Sequence, residues 1–321
     1  MTILITGCAG FIGFHLSNTI LKKDKKIKII GIDNLNNYYS SRYKKKRLNI
    51  LKKHKNFSFF KLDISNYDKL KKIYKKNKIN IVINLAAQAG VRYSISNPKE
   101  YISSNIVGFH NVAELARLHK VNRIIYASSS SVYGEKKKFP LKETEDINPN
   151  NIYSLSKKNN EEIAEIYSKY YKIKFIGLRF FTVYGEWGRP DMLILKYILS
   201  TKNKKVFYLN NYGKHFRDFT YIEDAIKNIL ILMKKTFKKN HEIFNICSNN
   251  PISIEFILKK LSDEFGAANI KKRSKQQADV YKTHGSNSKL LKVTKYKKFK
   301  KISDGLVKTI NWSRKNIYLI K

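Results

Sequence analysis

The chain has 321 residues, 42% of them hydrophobic, with 65 Lys and Arg against 24 Asp and Glu, for a formal charge of +41. That length and apolar content suffice for one large buried core and a smaller companion. No apolar run approaches the roughly 20 residues of a membrane span and no basic segment precedes the first apolar run, so neither a spanning helix nor a secretory leader is expected.

In chain order, the β-branched run at 2–6 predicts a strand that ends in Gly7, Gly10 and Gly13. The amphipathic stretch 11–22 follows at once as a helix. Strand, glycine turn and helix form the context that a dinucleotide pyrophosphate needs, because glycine lets backbone N–H groups approach and the helix N-terminus favours anions. A second strand at 27–32 leads to Asp33, twenty residues after Gly13. An acid there accepts ribose hydroxyls and repels a 2′-phosphate, which favours NAD over NADP. Further strands are expected at 57–62, 80–85, 123–128 and 174–178, and further helices at 65–76, 99–119 and 151–171. This alternation predicts a doubly wound α/β fold on a parallel sheet. Ligands bind beyond the carboxyl ends of such strands, so the chemistry belongs at 7–13, 33–38, 63–64, 85–94, 128–134 and 179–191. After about 185 the alternation loosens, and a smaller C-terminal substrate-binding lobe is expected. The division is a dinucleotide-binding unit at 1–184 and a lobe at 185–321, with 221–246 returning to the sheet. The Lys-rich tail keeps helical spacing at Ile302, Leu306, Ile310 and Trp312.

Two cysteines, Cys8 and Cys247, make no disulfide framework and point to a reducing, cytoplasmic setting. Cys8, inside the glycine turn, reads as a small buried residue. The basic runs 44–47, 136–138, 271–273 and 297–301 are dispersed. A nucleic-acid footprint would cluster, so no specific nucleic acid is expected; the charge still attracts anionic substrates.

Tyr153 and Lys157 are four apart in a predicted helix and share a face. An ammonium nearby, and a positive nicotinamide, would lower the phenol's pKa and let it take a proton from a hydroxyl. The serine run 128–131 ends the fifth strand, where its hydroxyls can hydrogen-bond a sugar oxygen.

These features carry a resemblance to the extended short-chain dehydrogenases/reductases, in the NAD-dependent epimerase/dehydratase group. The motifs are Thr6–Gly13, Asp33–Asn36, Asn84–Ser94, the serine run, Tyr153 with Lys157, Arg179–Gly185 and Arg217–Ile222. Within the group, the stretches 87–94 and 187–192 are most similar to UDP-glucuronate 4-epimerases. The resemblance implies a Rossmann-like fold, NAD as cofactor and 4-epimerisation of a UDP-sugar through a transient 4-keto form, with UDP-glucuronate as substrate. UDP-glucose/UDP-galactose 4-epimerisation is the near alternative; dehydration or decarboxylation is more distant, since those enzymes place acids where this chain has Ser130 and Ser131. No metal is implied.

By the same resemblance Ser129, Ser130, Tyr153 and Lys157 hold the reacting hydroxyl. Gly7, Gly10, Phe11, Ile12, Gly13, Asp33, Asn34, Asp63, Ile64, Leu85, Ala86, Ala87, Gln88 and Lys157 hold NAD. Arg189 and Arg217 bind the diphosphate, while Arg92, Ser131 and Thr182 reach the sugar and its carboxylate. A homodimer through 99–119 and 151–171 is also implied. Glu186, Lys295 and Lys298 depart from the group's usual proline, glycine and proline, which puts local loop geometry in question.

Overall fold

Alternate residues of the central strands face opposite ways, and both ways are apolar. Ile3 and Ile5 pack into one buried cluster and Leu4 into another; Ile83 and Val82, Ile125 and Ile124, Ile176 and Phe175 divide in the same manner. Strands buried on both faces need cover on both, which a parallel sheet between helical layers provides.

In the computed structural model, which describes residues 1–276 and 278–320, seven strands form one parallel sheet. Their order is His241–Ile246, Lys174–Phe180, Arg123–Ser129, Ile81–Asn84, Thr2–Thr6, Lys28–Asp33 and Phe57–Lys61. Thr6 lies beside Ile32 on one side and Asn84 on the other. The winding therefore reverses at Thr2–Thr6, and the diverging loops beyond it open a crevice. His241–Ile246 pairs with Lys174–Phe180, so the chain rejoins the sheet after leaving it. Two smaller sheets lie outside it: Thr182–Tyr184 with Phe216–Tyr221 and Pro251–Ser253, and Phe207–Asn210 with Ile270–Arg273. No helix among the described residues is long and apolar enough to cross a membrane.

Three departures from the sequence expectation have physical causes. The run at 44–47, read only as one of several dispersed basic runs, belongs to the helix Ser41–Lys52, in which Lys44 and Arg47 are buried and Lys45 is exposed. The helix expected over 99–119 is interrupted: Pro98–Tyr101 leads into a π turn, Ile102–Val107, before Gly108–Leu118. The wider turn carries Asn105 inward, where its amide bonds Gln88 and Ser156; a π turn at a site of this kind is a recurrent device. Lys295 ends the helix Ser288–Thr294 at φ 57°, a left-handed conformation that glycine adopts without cost.

Candidate active site

The cavity begins at the glycine turn. Gly7 has φ +69°, and a Cβ on it would sit 2.7 Å from the Ala86 nitrogen; one on Gly13 would sit 2.1 Å from the Gly7 oxygen. Only glycine lets this turn close against the neighbouring strand end. The helix Phe11–Lys23 starts here with Gly10 as its N-cap, which brings no side-chain acceptor. Its first N–H groups are thus left for an anion. Cys8 behind them is buried, and burial pushes its thiol well up, so it is no nucleophile.

Asp33 is buried at the next strand end and accepts from Ala9 N at 3.1 Å and Leu35 N at 2.8 Å. Burial pushes its carboxyl up, against those N–H groups and the charges of Lys44 and Arg47. Asp63 is raised by burial too, but hydrogen bonds from Ser65 and Asn34 outweigh this and hold it below the usual range. Gly7, Gly10 to Gly13, Asp33, Asn34, Asp63, Ile64 and Leu85 to Gln88 line one continuous crevice of about 620 Å³. A tight turn whose crevice-facing positions are glycines, an uncapped helix start and a buried carboxylate twenty residues on fit a dinucleotide.

At the other end of the crevice stand Ser129, Ser130, Ser131, Tyr153, Lys157 and Thr182. The helix Ile152–Tyr171 is fixed at its start by a capping box: Asn151 Oδ1 accepts from Ser154 N at 2.9 Å, and Ser154 Oγ accepts from Asn151 N at 3.2 Å. Asn105 then ties that helix to the fourth-strand loop: its Nδ2 donates to Ser156 Oγ at 2.9 Å and its carbonyl accepts from Asn160 at 2.6 Å. Lys157 Nζ donates to the Ala127 carbonyl at 2.8 Å, and burial lowers its pKa to about 8. Burial raises the Tyr153 phenol; Ser129's hydroxyl and Arg189's charge pull it back without cancelling the rise. In the chain alone, burial outweighs whatever the neighbouring ammonium contributes to the phenol. Lys157 is turned to the fifth-strand carbonyl, and burial governs both groups.

The roof is cationic. Arg189 forms a two-pronged pair with Asp191 (3.0 and 2.5 Å), and Tyr38 donates to the same carboxylate at 3.1 Å. Arg92, half-exposed, is held in the same manner by Asp279 at 3.2 and 2.6 Å. Arg217 donates to three backbone carbonyls, of Phe216, Val280 and Tyr281, and burial lowers its pKa to about 10. A second hollow of about 280 Å³ continues from these arginines between Phe207–Asn210 and the helix Leu193–Lys202.

All of the candidate residues named from sequence line the larger crevice, although they come from every strand end along 7–217. Asp191, Asp279, Tyr38 and Lys44 line it as well and were not singled out. Asp191 lay within a quoted motif, where its acid beside an arginine was a usable signal. Asp279, 187 residues from the arginine it holds, gave none.

Glu186 occupies its unusual position usefully. Both of its carboxylate oxygens accept from Tyr221 Oη (2.8 and 2.7 Å), and its carbonyl lies 2.8 Å from His15 Nε2.

With this geometry in view, the comparisons with known proteins agree. The model of the NAD dependent epimerase/dehydratase family matches residues 3–247. A UDP-glucuronate 4-epimerase of Thermodesulfobacterium geofontis is 39% identical over 328 residues, covering 99% of this chain and 98% of that one. Protein CapI of Staphylococcus aureus is 39% identical over 330 residues, covering 97% and 98%. Among solved structures, UDP-glucuronic acid 4-epimerase from Bacillus cereus, in complex with UDP-glucuronic acid and NAD, superposes with a TM-score of 0.91 at 30% identity, covering 98% of this chain and 99% of that one. The chain belongs to the NAD-dependent epimerase/dehydratase family.

Proposed function

We propose that this protein epimerises a UDP-sugar at carbon 4, and that the sugar is glucuronate, converted to galacturonate. The observation that carries this is the convergence of Tyr153, Ser129 and Lys157 with three arginines on one crevice that begins at the glycine turn. Bound NAD supplies reversible oxidation of a secondary alcohol. Everything else falls to side chains of the chain. Tyr153 Oη takes and returns the proton of the 4-hydroxyl, with Ser129 beside it to hold the oxygen. Lys157, anchored on Ala127, orients the nicotinamide ribose and keeps a positive charge near the phenol. Arg217, held by neutral carbonyls, and Arg189 grip the diphosphate, because charge-assisted pairs are the strong ones. That anchor lets the sugar turn while its tether stays. Arg92, Ser131 and Thr182 meet the sugar carboxylate. The strand-five positions that would need an acid for elimination or decarboxylation are Ser130 and Ser131.

Incubation of the protein with UDP-glucuronate and separation of the products tests this. UDP-galacturonate is expected, with no carbon dioxide released. Turnover of UDP-glucose in its place would transfer the assignment to neutral hexoses, and release of carbon dioxide would make the protein a lyase.

The division into a cofactor-binding unit over 1–184 and a substrate lobe over 185–321 is part of the same proposal, as is a cytoplasmic site of action. So is a homodimer. Ile102, Val107 and Leu118 on one helical segment, and Leu155, Ile166 and Tyr170 on the helix Ile152–Tyr171, leave large apolar side chains exposed. A second copy packing there would bury them and brace the helix that carries Tyr153. Sedimentation is expected to give twice the mass of one chain, falling to the single-chain mass in Ile166→Lys; a single-chain mass for the unaltered protein refutes the dimer.

A further inference from the structure

Arg47 is among the largest fully buried side chains of the protein, and the reaction outlined above gives it no task. All four of its hydrogen bonds go to neutral oxygens. Nη1 donates to the Ala9 carbonyl at 3.0 Å and to Tyr39 Oη at 2.8 Å; Nη2 donates to the carbonyls of Trp187 at 2.5 Å and Gly188 at 3.0 Å. The guanidinium lies 4.3 Å over the Tyr43 ring, and that ring stacks on Trp187 at 5.4 Å. The nearest opposite charge, Asp33, feels that of Arg47 but makes no hydrogen bond to it; burying a guanidinium on neutral hydrogen-bond partners is expensive, and a well-packed apolar residue would serve packing alone at least as well. What the apolar residue could not supply is a rigid fork of donors.

The two prongs reach different ligand-facing loops. Ala9 belongs to the glycine turn, and its own N–H is held by Asp33 at 3.1 Å. Trp187 and Gly188 directly precede Arg189 on the cationic roof. Trp187 has φ 56°, a left-handed backbone that a bulky side chain rarely adopts. Such strain persists where surroundings over-determine it, and it clusters at ligand sites. Here the surroundings are Arg47 at its carbonyl and Phe14, Tyr43 and Trp312 around its ring.

We propose that Arg47 is a positioning residue that couples the two ligand sites: one guanidinium fastens the dinucleotide turn to the loop that presents Arg189, so that seating either ligand favours seating the other. The inference rests on the proposed UDP-sugar reading for the identity of the second ligand. It has a functional consequence, because a cofactor regenerated in every cycle must stay bound while the sugar nucleotide exchanges.

Coupling between sites is reciprocal and typically amounts to 5–150-fold. The probe is UDP, which occupies the second site without reacting. NAD release from the loaded protein is timed with and without saturating UDP, whose binding is measured separately by calorimetry. In the unaltered protein UDP is expected to slow NAD release by at least about fivefold. In Arg47→Lys, which keeps the charge but cannot span both loops, the slowing should fall below about twofold, with UDP still bound. A residue that only supported the fold would weaken both ligands and leave the ratio unchanged. Amide exchange over 185–190 gives a readout that does not depend on the variant folding. NAD alone should slow it, although that ligand's turn lies on the other side of Arg47. Failure of UDP to bind the loaded protein overturns the UDP-sugar reading and the coupling with it. Binding of UDP with unchanged NAD release, equal slowing in Arg47→Lys, or exchange at 185–190 indifferent to NAD overturns the coupling alone.

Discussion

Tyr153→Phe is expected to lose about 10²–10⁴-fold in epimerase turnover while NAD remains bound and the fold intact. The substitution removes one oxygen from a side chain whose backbone is fixed independently. The capping box at Asn151 and Ser154, and Ser156 Oγ donating to the Tyr153 carbonyl at 2.7 Å, do not involve the phenol. Ser129, Lys157 and the arginines stay in place, so the loss isolates proton transfer at a single atom. Turnover undiminished in this variant would sink the assignment of Tyr153.

The pH profile of the unaltered protein is the companion test. The competent form carries a phenolate at Tyr153 and an ammonium at Lys157. Burial has moved the two groups the other way, the phenol up and the ammonium down to about 8. Below about 8 the ammonium is intact and the phenolate fraction grows about tenfold per pH unit, so kcat/KM rises with pH. Above about 8 the gain in phenolate is cancelled by loss of the ammonium proton, and the profile flattens. A profile flat from pH 6 to 8 would contradict this account.

Glu161→Ala should be the most destabilising single change near the site, costing about 3–5 kcal/mol. Glu161 accepts from Arg179 Nε at 2.9 Å and Nη2 at 2.8 Å and from Ser128 Oγ at 2.5 Å. The pair is shut away from water, with 4% and 5% of the two side chains exposed. Alanine would leave the Arg179 charge buried beside neutral groups and the Ser128 hydroxyl without its acceptor. Native stability is only about 5–15 kcal/mol in total, so the melting temperature should drop by on the order of 10 °C at fixed NAD. Replacing both partners by methionine should recover most of the loss, since it is the orphaned charge that is costly. A melting point for Glu161→Ala within a degree or two of the unaltered protein would contradict this. The same contact clamps the helix bearing Tyr153 to the strands ending at Ser129 and Phe180, so turnover should fall along with stability.

Much of this was legible without coordinates, for reasons that differ by residue. The glycine turn at 7–13, Asp33 and the strand runs announce themselves through local chemistry: tight turns need glycine, and doubly buried strands need unbroken apolar runs. The helix Ser41–Lys52 was missed because its basic run masks the inward face formed by Tyr43, Arg47, Leu48 and Leu51. The break in the helix expected at 99–119 was hidden because the π turn that carries it is held by hydrogen bonds from Asn105 to the distant Gln88 and Ser156, which spacing along the chain does not show.

The sequence by itself determined the alternation of the main strands and helices and the dinucleotide turn, because spacing and side-chain type suffice for these; the residues proposed for proton transfer and for the diphosphate came from the resemblance of its motifs to a family. Only the tertiary structure decided what each charge faces. Lys157 faces the Ala127 carbonyl, Arg92 faces Asp279, and Arg47 faces the carbonyls of Ala9 and Gly188. Those partners meet through long-range packing across 30 to 187 residues of chain, and burial, which sets the pKa of the phenol and the ammonium, is a property of that packing alone.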